Sequence, residues 1–477
     1  MRFSLPPARL SPLLLAAALA WSIVPAAAAP TPQPLPPPPG DTVLLGRLFD
    51  AREGKAVPQG VVVVADGRIR CAGPVRECRW PAGATVHDYG QATLLPGLID
   101  LHVHARPHYI QAFVPAGVTT VRDANNTLAM IATLRAATGA PRLLASGPAL
   151  DGIHSALGEA TSPPDSQPLD RRMPLTVTGA DEAAAAVRAL AGAGVDWVKL
   201  YEQLPPAALD AAVRSAREAG LPVMADLGLM LTRGLDGAEV DALQAGSAGV
   251  STLEHLSGVA LAYQRLGGDP LADTLDEGVL DRIVAAIAAS GMSMVPTVGN
   301  ARQFHDPGAL GLDDLPGAAR MRPHFEGYWG YLEGALAGER TKARSAADLR
   351  LSTALLPRLL AAGVPVGAGS DLPAAPRMLP GAALHQELQA LVEAGLSPVQ
   401  ALQAATHVAA RILGRDDLGR LEAGAVADIL VVDGDPLADI LHTRRLRAVW
   451  FQGEAVDLEA AWERVVDALE AAARENG

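Results

Sequence analysis

From Thr93 to about Pro373 the chain alternates short apolar runs with alanine-rich amphipathic stretches, and that alternation leaves few folds open. The runs are TLLPGLIDLHV from Thr93, GVTTVRDA from Gly117, PRLLASGPAL from Pro141, VDWVKLY from Val195, LPVMADLG from Leu221, VSTLEHLS from Val250, MSMVPTVG from Met292 and VPVGAGSDLP from Val364. Glycines suited to ending a helix (Gly117, Gly194, Gly220, Gly291 and Gly363) precede or open several of them. A strand followed by a helix, repeated, is the signature of parallel βα units. Eight such repeats predict an α/β protein built on a (β/α)8 TIM-type barrel, whose chemistry sits at the C-terminal ends of the strands.

The two flanks read differently. VLLGRLFD, GVVVVADGRIRCAG and TVHDYG lie between Thr42 and Leu95, with Asp66-Gly67 as a turn; DILVVDGDP and LRAVWFQGEAV lie after Asp428. Neither flank holds enough strands for a stable sheet. Together they predict a small β-sandwich domain formed from both ends of the chain. The expected division is therefore 42–95 for its first part, 96–415 for the barrel, and 416–477 for its second part plus a C-terminal helix from about Leu458 to Ala472.

Residues 1–28 read as an export signal: Arg2 and Arg9 lead an apolar stretch from Leu10 to Val24, and Ala26 to Ala29 supply small residues for cleavage after Ala28. An uncleaved anchor is the competing reading, but the run is short and ends in alanines. A Pro-rich linker, 29–41, follows. The expected location is periplasmic or secreted. No cysteine follows the apolar stretch, which argues against a lipid anchor. Cys71 and Cys78 are the chain's two cysteines; in an oxidising compartment they can pair, and with no third thiol a sulfur metal site is the weaker reading. Net charge is −13, becoming −15 once Arg2 and Arg9 are lost, which excludes an ordinary nucleic-acid binder. No later segment approaches a membrane span, so no membrane insertion is expected after signal cleavage. The partner implied is a small-molecule substrate, and a homo-oligomer is left open.

Polar groups at the strand ends are the ones to inspect. His102 and His104 stand at i and i+2 after the apolar run, so strand alternation points both to one side. A pair of imidazoles there is half a metal site; ordinary loop histidines are the plainer reading. The later ends add Lys199, Asp226, His255 and Asp371. Lys199 is one of three lysines and lies inside a strand that should be buried, where a bare ammonium is costly. It either pairs with a carboxylate, or snorkels, or reacts with CO2 to form an anionic carbamate able to bridge two cations.

With these residues in view the chain resembles the metal-dependent amidohydrolase superfamily, in the branch similar to imidazolonepropionases and prolidase-like carboxy-dipeptidases. PGLIDLHVH is similar to the family's first-strand signature, GAGSDLP to its last, and LGRLEAGAVADILVVDGDPLADI to its return into the β domain. The resemblance covers nearly all of the mature chain. It implies two divalent metal ions, Zn2+ by default, with Mn2+, Fe2+ or Co2+ as substitutes. His102 and His104 would bind one ion, carboxylated Lys199 would bridge, and His255 would help hold the second. Asp371 would ligate the first ion and carry the proton, giving metal-assisted hydrolysis of a C–N bond in a dipeptide, an N-acyl amino acid or a cyclic amide. Esterase, lactonase or phosphotriesterase chemistry uses the same activated water.

One position departs from the pattern. Where the family carries a fifth-strand His, LPVMADLG has Asp226. A carboxylate can hold the same ions and favours harder ones such as Mn2+. The alternatives are a one-metal enzyme and a degenerate, non-catalytic binding barrel. Around the substrate, the resemblance gives His154 a role at the carbonyl or at a substrate carboxylate. Tyr201 follows Lys199 by two and shares its side of the strand. The long connection 302–349 gathers Phe304, Phe325, Tyr328, Trp329 and Tyr331, a candidate lid with Tyr328 as a substrate contact. Arg302, Arg320 and Arg322 are candidate partners for an anionic substrate.

Overall fold

The computed structural model describes residues 40–153 and 168–476. The signal and linker readings for 1–39, and His154, lie outside the described residues. Four strands come first: β1 (Thr42–Asp50), β2 (Lys55–Ala65), β3 (Arg68–Pro74) and β4 (Thr85–Pro96). Nine short ones follow: β5 (Leu98–Val103), β6 (Val118–Asp123), β7 (Arg142–Ala145), β8 (Leu150–Asp151), β9 (Leu175–Thr176), β10 (Val198–Leu200), β11 (Val223–Ala225), β12 (Thr252–Glu254) and β13 (Ser293–Val295). Then come β14 (Ile429–Val432), β15 (Leu446–Phe451) and β16 (Glu454–Ala455), ahead of the Leu458–Asn476 helix.

Both flanks of the chain do build one β unit, but not as two stacked sheets. They share a single seven-stranded sheet in the order β16-β15-β14-β4-β1-β2-β3. β4 pairs parallel with β1 on one side and antiparallel with β14 on the other, Leu95 opposite Leu430. The edge strand β3 is tied back to the segment before β14: Ile69 N–H donates to Ala425 O at 2.9 Å and Ala427 N–H to Gly67 O at 2.9 Å. Bent in this way, the sheet encloses its own core of Leu44, Leu48, Val62, Val64, Ile69, Leu94, Ile429, Val431 and Trp450. That replaces the expected sandwich: a sheet that closes back on its own edge hides its inner face without needing a second sheet. Cys71 and Cys78 are joined by a disulfide beside a smaller cluster of Val43, Val61 and Val63.

The middle of the chain is TIM-barrel-like α/β. β5-β6-β7 form one parallel sheet and β13-β12-β11-β10-β8-β9 another. Two of the expected strands are interrupted. The run PRLLASGPAL splits into β7 and β8 because Gly147, at φ 71°, and Pro148, which lacks an N–H, interrupt the ladder. The run VPVGAGSDLP makes only isolated bridges, Val366 with Met294 and Leu372 with Val103. Its Gly369 is why it can pass at all: a Cβ there would stand 2.6 Å from Val295 Cγ1 and 2.9 Å from His102 Cβ.

One joint positions the site. β4 of the terminal sheet runs through Gly97 straight into β5, the strand that carries His102. A side chain at 97 would lie 2.2 Å from Thr119 Oγ1, so only glycine lets β4 pass β6 this closely. Among the described residues no helix is long and apolar enough to cross a membrane.

Candidate functional site

The His102 ring is fully buried at the end of β5, and His104 stands two residues on, partly exposed. The segment carrying Asp371 is zipped against them: Asp371 N–H donates to His102 O at 2.7 Å and His104 N–H to Leu372 O at 2.8 Å. Asp371 Oδ1 then lies 3.0 Å from His104 Nε2 and 3.5 Å from His102 Nε2. Its other oxygen accepts from Asn300 Nδ2 at 2.9 Å. The His255 ring also lies against His102, 4.5 Å away centre to centre. His255 Nε2 is 3.4 Å from Asp226 Oδ2, and Lys199 Nζ is 3.9 Å from that same oxygen. Lys199 Nζ also sits 5.7 Å from the centre of the Tyr201 ring. The structure thus brings His104, Asp371, His102, His255, Asp226 and Lys199 into one line of neighbours.

Backbone conformation marks the same place. His255, Thr297 and Asp371 have φ of 61°, 46° and 57°, a region that L residues with side chains enter at a cost. His255 Nδ1 and Thr297 Oγ1 are hydrogen-bonded at 2.6 Å, so two of these residues brace each other. Strain of this kind persists only where the surroundings over-determine it, and it collects at functional sites.

Ligand atoms of His102, His255 and Asp371 all lie within 4.8 Å of one another, which suits one ion. The donor set passes a sharper test. His102 Nε2 is buried, has no hydrogen-bond partner and faces a carboxylate oxygen. A lone pair held in that way is what a divalent cation satisfies, and nitrogen with oxygen ligands suits zinc and its neighbours.

Electrostatics favour the metal-binding form at His102 and Asp226, and at His255 they favour the protonated ring. Burial holds the His102 pKa well below its ordinary value, reinforced by Lys199 and His255, so the ring is neutral. At Asp226 burial pushes up, but His255 and Lys199 outweigh it and bring the carboxyl down to about 2. His255 moves the other way: burial lowers it, while Asp226 and Asp371 raise it more. Glu202, next to Tyr201, is raised to about 7 by burial and by Asp226. Burial and then Asp226 raise the Tyr201 phenol well above its usual value.

Several buried groups behind this line are absent from the sequence reading. Glu254 Oε2 lies 2.6 Å from His102 Nδ1, and Arg122 Nη2 donates to both Glu254 oxygens at 2.8 and 3.0 Å. Asp100 accepts from Ser370 N–H at 2.9 Å and Ser370 Oγ–H at 2.6 Å, holding the approach to Asp371. Asp123 accepts from Ala105 N–H at 2.8 Å, just past His104. Glu387 accepts from Gly299 N–H at 2.5 Å at the start of the Val298–His305 helix, which carries Asn300. The signals were present: Glu254 precedes His255 directly, and Arg122-Asp123 is a charged pair closing an apolar strand.

The outer ring of candidates divides. Tyr328 Oη–H donates to Pro373 O at 3.2 Å, two residues past Asp371, and burial and Asp371 raise its pKa. Phe325 and Trp329 are buried and stack on each other at 6.2 Å, so they serve packing. The three arginines are turned to other work. Arg302 pairs with Asp306 and Glu393, Arg320 with Glu459, and Arg322 with Asp313 and Glu326. A cation nearer the site is Arg106, two residues beyond His104. Its Nη1 donates to Ala105 O and to Asn126 Oδ1, both at 2.8 Å, and it forms no ion pair with a described residue. Its charge reaches Tyr328, opposing the rise in that phenol's pKa.

Comparison with known proteins adds the lineage. The sequence model of the amidohydrolase family matches residues 93–456. No curated protein matches the chain in sequence. Among solved structures, it is similar to a putative prolidase from Bifidobacterium longum, 23% identical with a TM-score of 0.65, over 90% of this chain and 100% of that one. It is also similar to an A. niger ochratoxinase, 20% identical with a TM-score of 0.65, over 87% of this chain and 95% of that one. A Xaa-Pro dipeptidase with methionine bound in its active site is 20% identical with a TM-score of 0.62, over 87% and 99%. At these identities the likeness is one of fold.

Proposed function

The chain belongs to the amidohydrolase family, hydrolases of C–N bonds, and from that premise we propose that it is an exported, metal-dependent enzyme that cleaves small amides carrying a carboxylate, such as dipeptides or N-acyl amino acids. The observation that carries the reading is the unbroken line from His104 to Lys199, with an unpartnered His102 Nε2 at its centre. His102, His104 and Asp371 would hold one cation. His255, whose ligand atom lies within 4.8 Å of those of His102 and Asp371, would with Asp226 hold a second, and Lys199 would bridge the two after its neutral amine adds CO2 and loses a proton to become a carbamate. When bound, divalent cations here supply a water acidic near neutral pH and polarise a carbonyl oxygen. Asp371 takes a proton from the attacking water and delivers it to the amine nitrogen as the C–N bond breaks. Asn300 fixes the orientation of that carboxylate. Arg106, pinned by two hydrogen bonds and free of an ion pair among the described residues, supplies a guanidinium for the substrate carboxylate at the mouth, beside Tyr328.

Two further elements belong to this reading. The two parallel sheets are read as one eight-unit ring, supported by Asp196 and Trp197 N–H donating to Ala145 O at 2.9 and 3.3 Å and by the bridges at Val366 and Leu372. Export is supported by the Cys71–Cys78 disulfide, a bond that lasts in oxidising compartments.

The test is metal content per chain in protein purified without chelators, with Asp226→Ala alongside, followed by turnover on dipeptides, N-acyl amino acids, lactones and aryl esters. About two metals, fewer in the variant, with turnover confined to the amides, supports the proposal. One metal in both makes it a mononuclear enzyme. Turnover of lactones or esters alone reassigns the substrate class, and no metal even after reconstitution with bicarbonate sinks the hydrolase.

A further inference from the structure

We propose that Glu254 is a positioning residue that aims His102 at the metal, and that Arg122 is the anchor that holds Glu254 in place. The inference rests on the metal site argued above and goes beyond it, because neither residue touches an ion or a substrate.

The His102, Glu254 and Arg122 side chains are all fully buried. A carboxylate only accepts, so with Glu254 Oε2 at 2.6 Å the His102 Nδ1 carries the proton and Nε2 carries the lone pair. That lone pair faces Asp371 and has no hydrogen-bond partner. An ion pair serving the fold alone would have no reason to end on one nitrogen of a ring and leave the other bare toward the site.

The carboxylate needs an anchor of its own, since an isolated buried charge is strongly unfavourable. Arg122 meets it with a fork, Nη2 to Oε1 at 2.8 Å and Oε2 at 3.0 Å. Thr252 Oγ–H donates to Oε1 at 2.6 Å, while Arg122 Nη1 reaches the same hydroxyl oxygen at 3.2 Å. Arg122 Nε donates to Leu101 O at 2.6 Å, fixing the backbone immediately before His102. The guanidinium lies 4.4 Å from the centre of the Trp197 ring, which closes its other face. One imidazole is thereby held through β5, β6 and β12 at once. The consecutive residues Glu254 and His255 bracket it, one at Nδ1 and the other beside its ring.

The experiment is Zn2+ affinity of chelator-stripped protein, measured by competition with a metal indicator, together with melting temperature with and without Zn2+. Glu254→Gln is expected to weaken Zn2+ binding 10- to 100-fold, the usual cost of removing a partner behind a metal ligand, and to shrink the melting-temperature rise that Zn2+ produces. Thr252→Val, which removes a bond to Glu254 but none to His102, should lower the metal-free melting temperature yet keep that rise. If Glu254→Gln does not fold, Glu254→Asp and Arg122→Lys decide the matter by the same affinity measurement. Folded variants that bind Zn2+ as tightly as the parent overturn the relay and leave the metal site standing. A parent protein that binds no Zn2+, Mn2+ or Co2+ overturns the site and the relay together.

Discussion

The terminal sheet and the rim of the parallel strands are buried to the same degree by opposite means. Inside the sheet the buried core is Leu, Val, Ile, Ala and a Trp. At the rim the buried side chains include Asp100, His102, Arg122, Asp123, Lys199, Asp226, Glu254, His255 and Asp371, with Glu387 buried on the Ala383–Glu393 helix. The sheet's left-handed residues, Asp66 and Gln452, each precede a glycine in a hairpin turn, where that conformation belongs. His255, Thr297 and Asp371 hold it where no hairpin asks for it. Burial in the first region lowers the free energy of the fold. In the second it preserves charge and strain for chemistry, which the surrounding structure must stabilise.

Substitutions can break or sharpen that contrast. The largest effect is expected from Asp371→Asn, about a 10^3-fold fall in kcat from loss of the proton carrier, with the metal-free melting temperature nearly unchanged. Steady-state turnover and a melting curve check it. Leu94→Ala should do the reverse, costing about 3 kcal/mol of stability by opening a cavity in the sheet core. Urea unfolding measures that cost, and the activity of the folded fraction should stay at the parent level. Removing the Cys71–Cys78 bond by double alanine substitution should cost roughly 2 kcal/mol for so short a loop, again without touching turnover. A fall in kcat from either change would mean that the sheet and the rim are coupled.

A further effect is linked to pH. Burial raises Glu387 to about 8, against backbone donation from Gly299 and Val298. A carboxyl whose folded pKa exceeds its unfolded one gives stability that is complete below the unfolded value, near 4.5, and is lost as pH rises through 8. Unfolding free energy should therefore decline across that window, and less steeply in Glu387→Gln. An unchanged slope in the variant would assign the pH dependence to Asp100 or Asp348, each raised to about 7 by burial.

Periodicity and strand-end position made much of this legible. The βα alternation, the β character of both flanks, and the set His102, His104, Lys199, Asp226, His255 and Asp371 all follow from local pattern, and the structure brings that set together. The bent single sheet does not follow, because pairing β4 with β14 is a choice between distant segments that no local pattern encodes. The broken third and eighth runs were signalled by Gly147-Pro148 and by the GAGS sequence, which outweigh hydrophobicity in a ladder. Glu254 and Arg122 escaped because they lie within strands, where a charge reads as an exception unless its partner on another strand is known. Arg302, Arg320 and Arg322 find ion-pair partners that spacing does not specify.

The joint at Gly97 and the pairing of β4 with β14 have a consequence for biosynthesis. β1 to β3 can zip up as soon as they leave the ribosome, and β4 can add to β1. The open edge of β4 must wait for β14, roughly 330 residues later, which at 5–20 residues per second is on the order of 15 to 70 seconds. For that interval a nascent chain carries an apolar strand with unanswered N–H and C=O groups, contiguous with the strand that carries His102. A late stretch, β14, is thus the one that seals the foundation of β5, the first of the parallel strands.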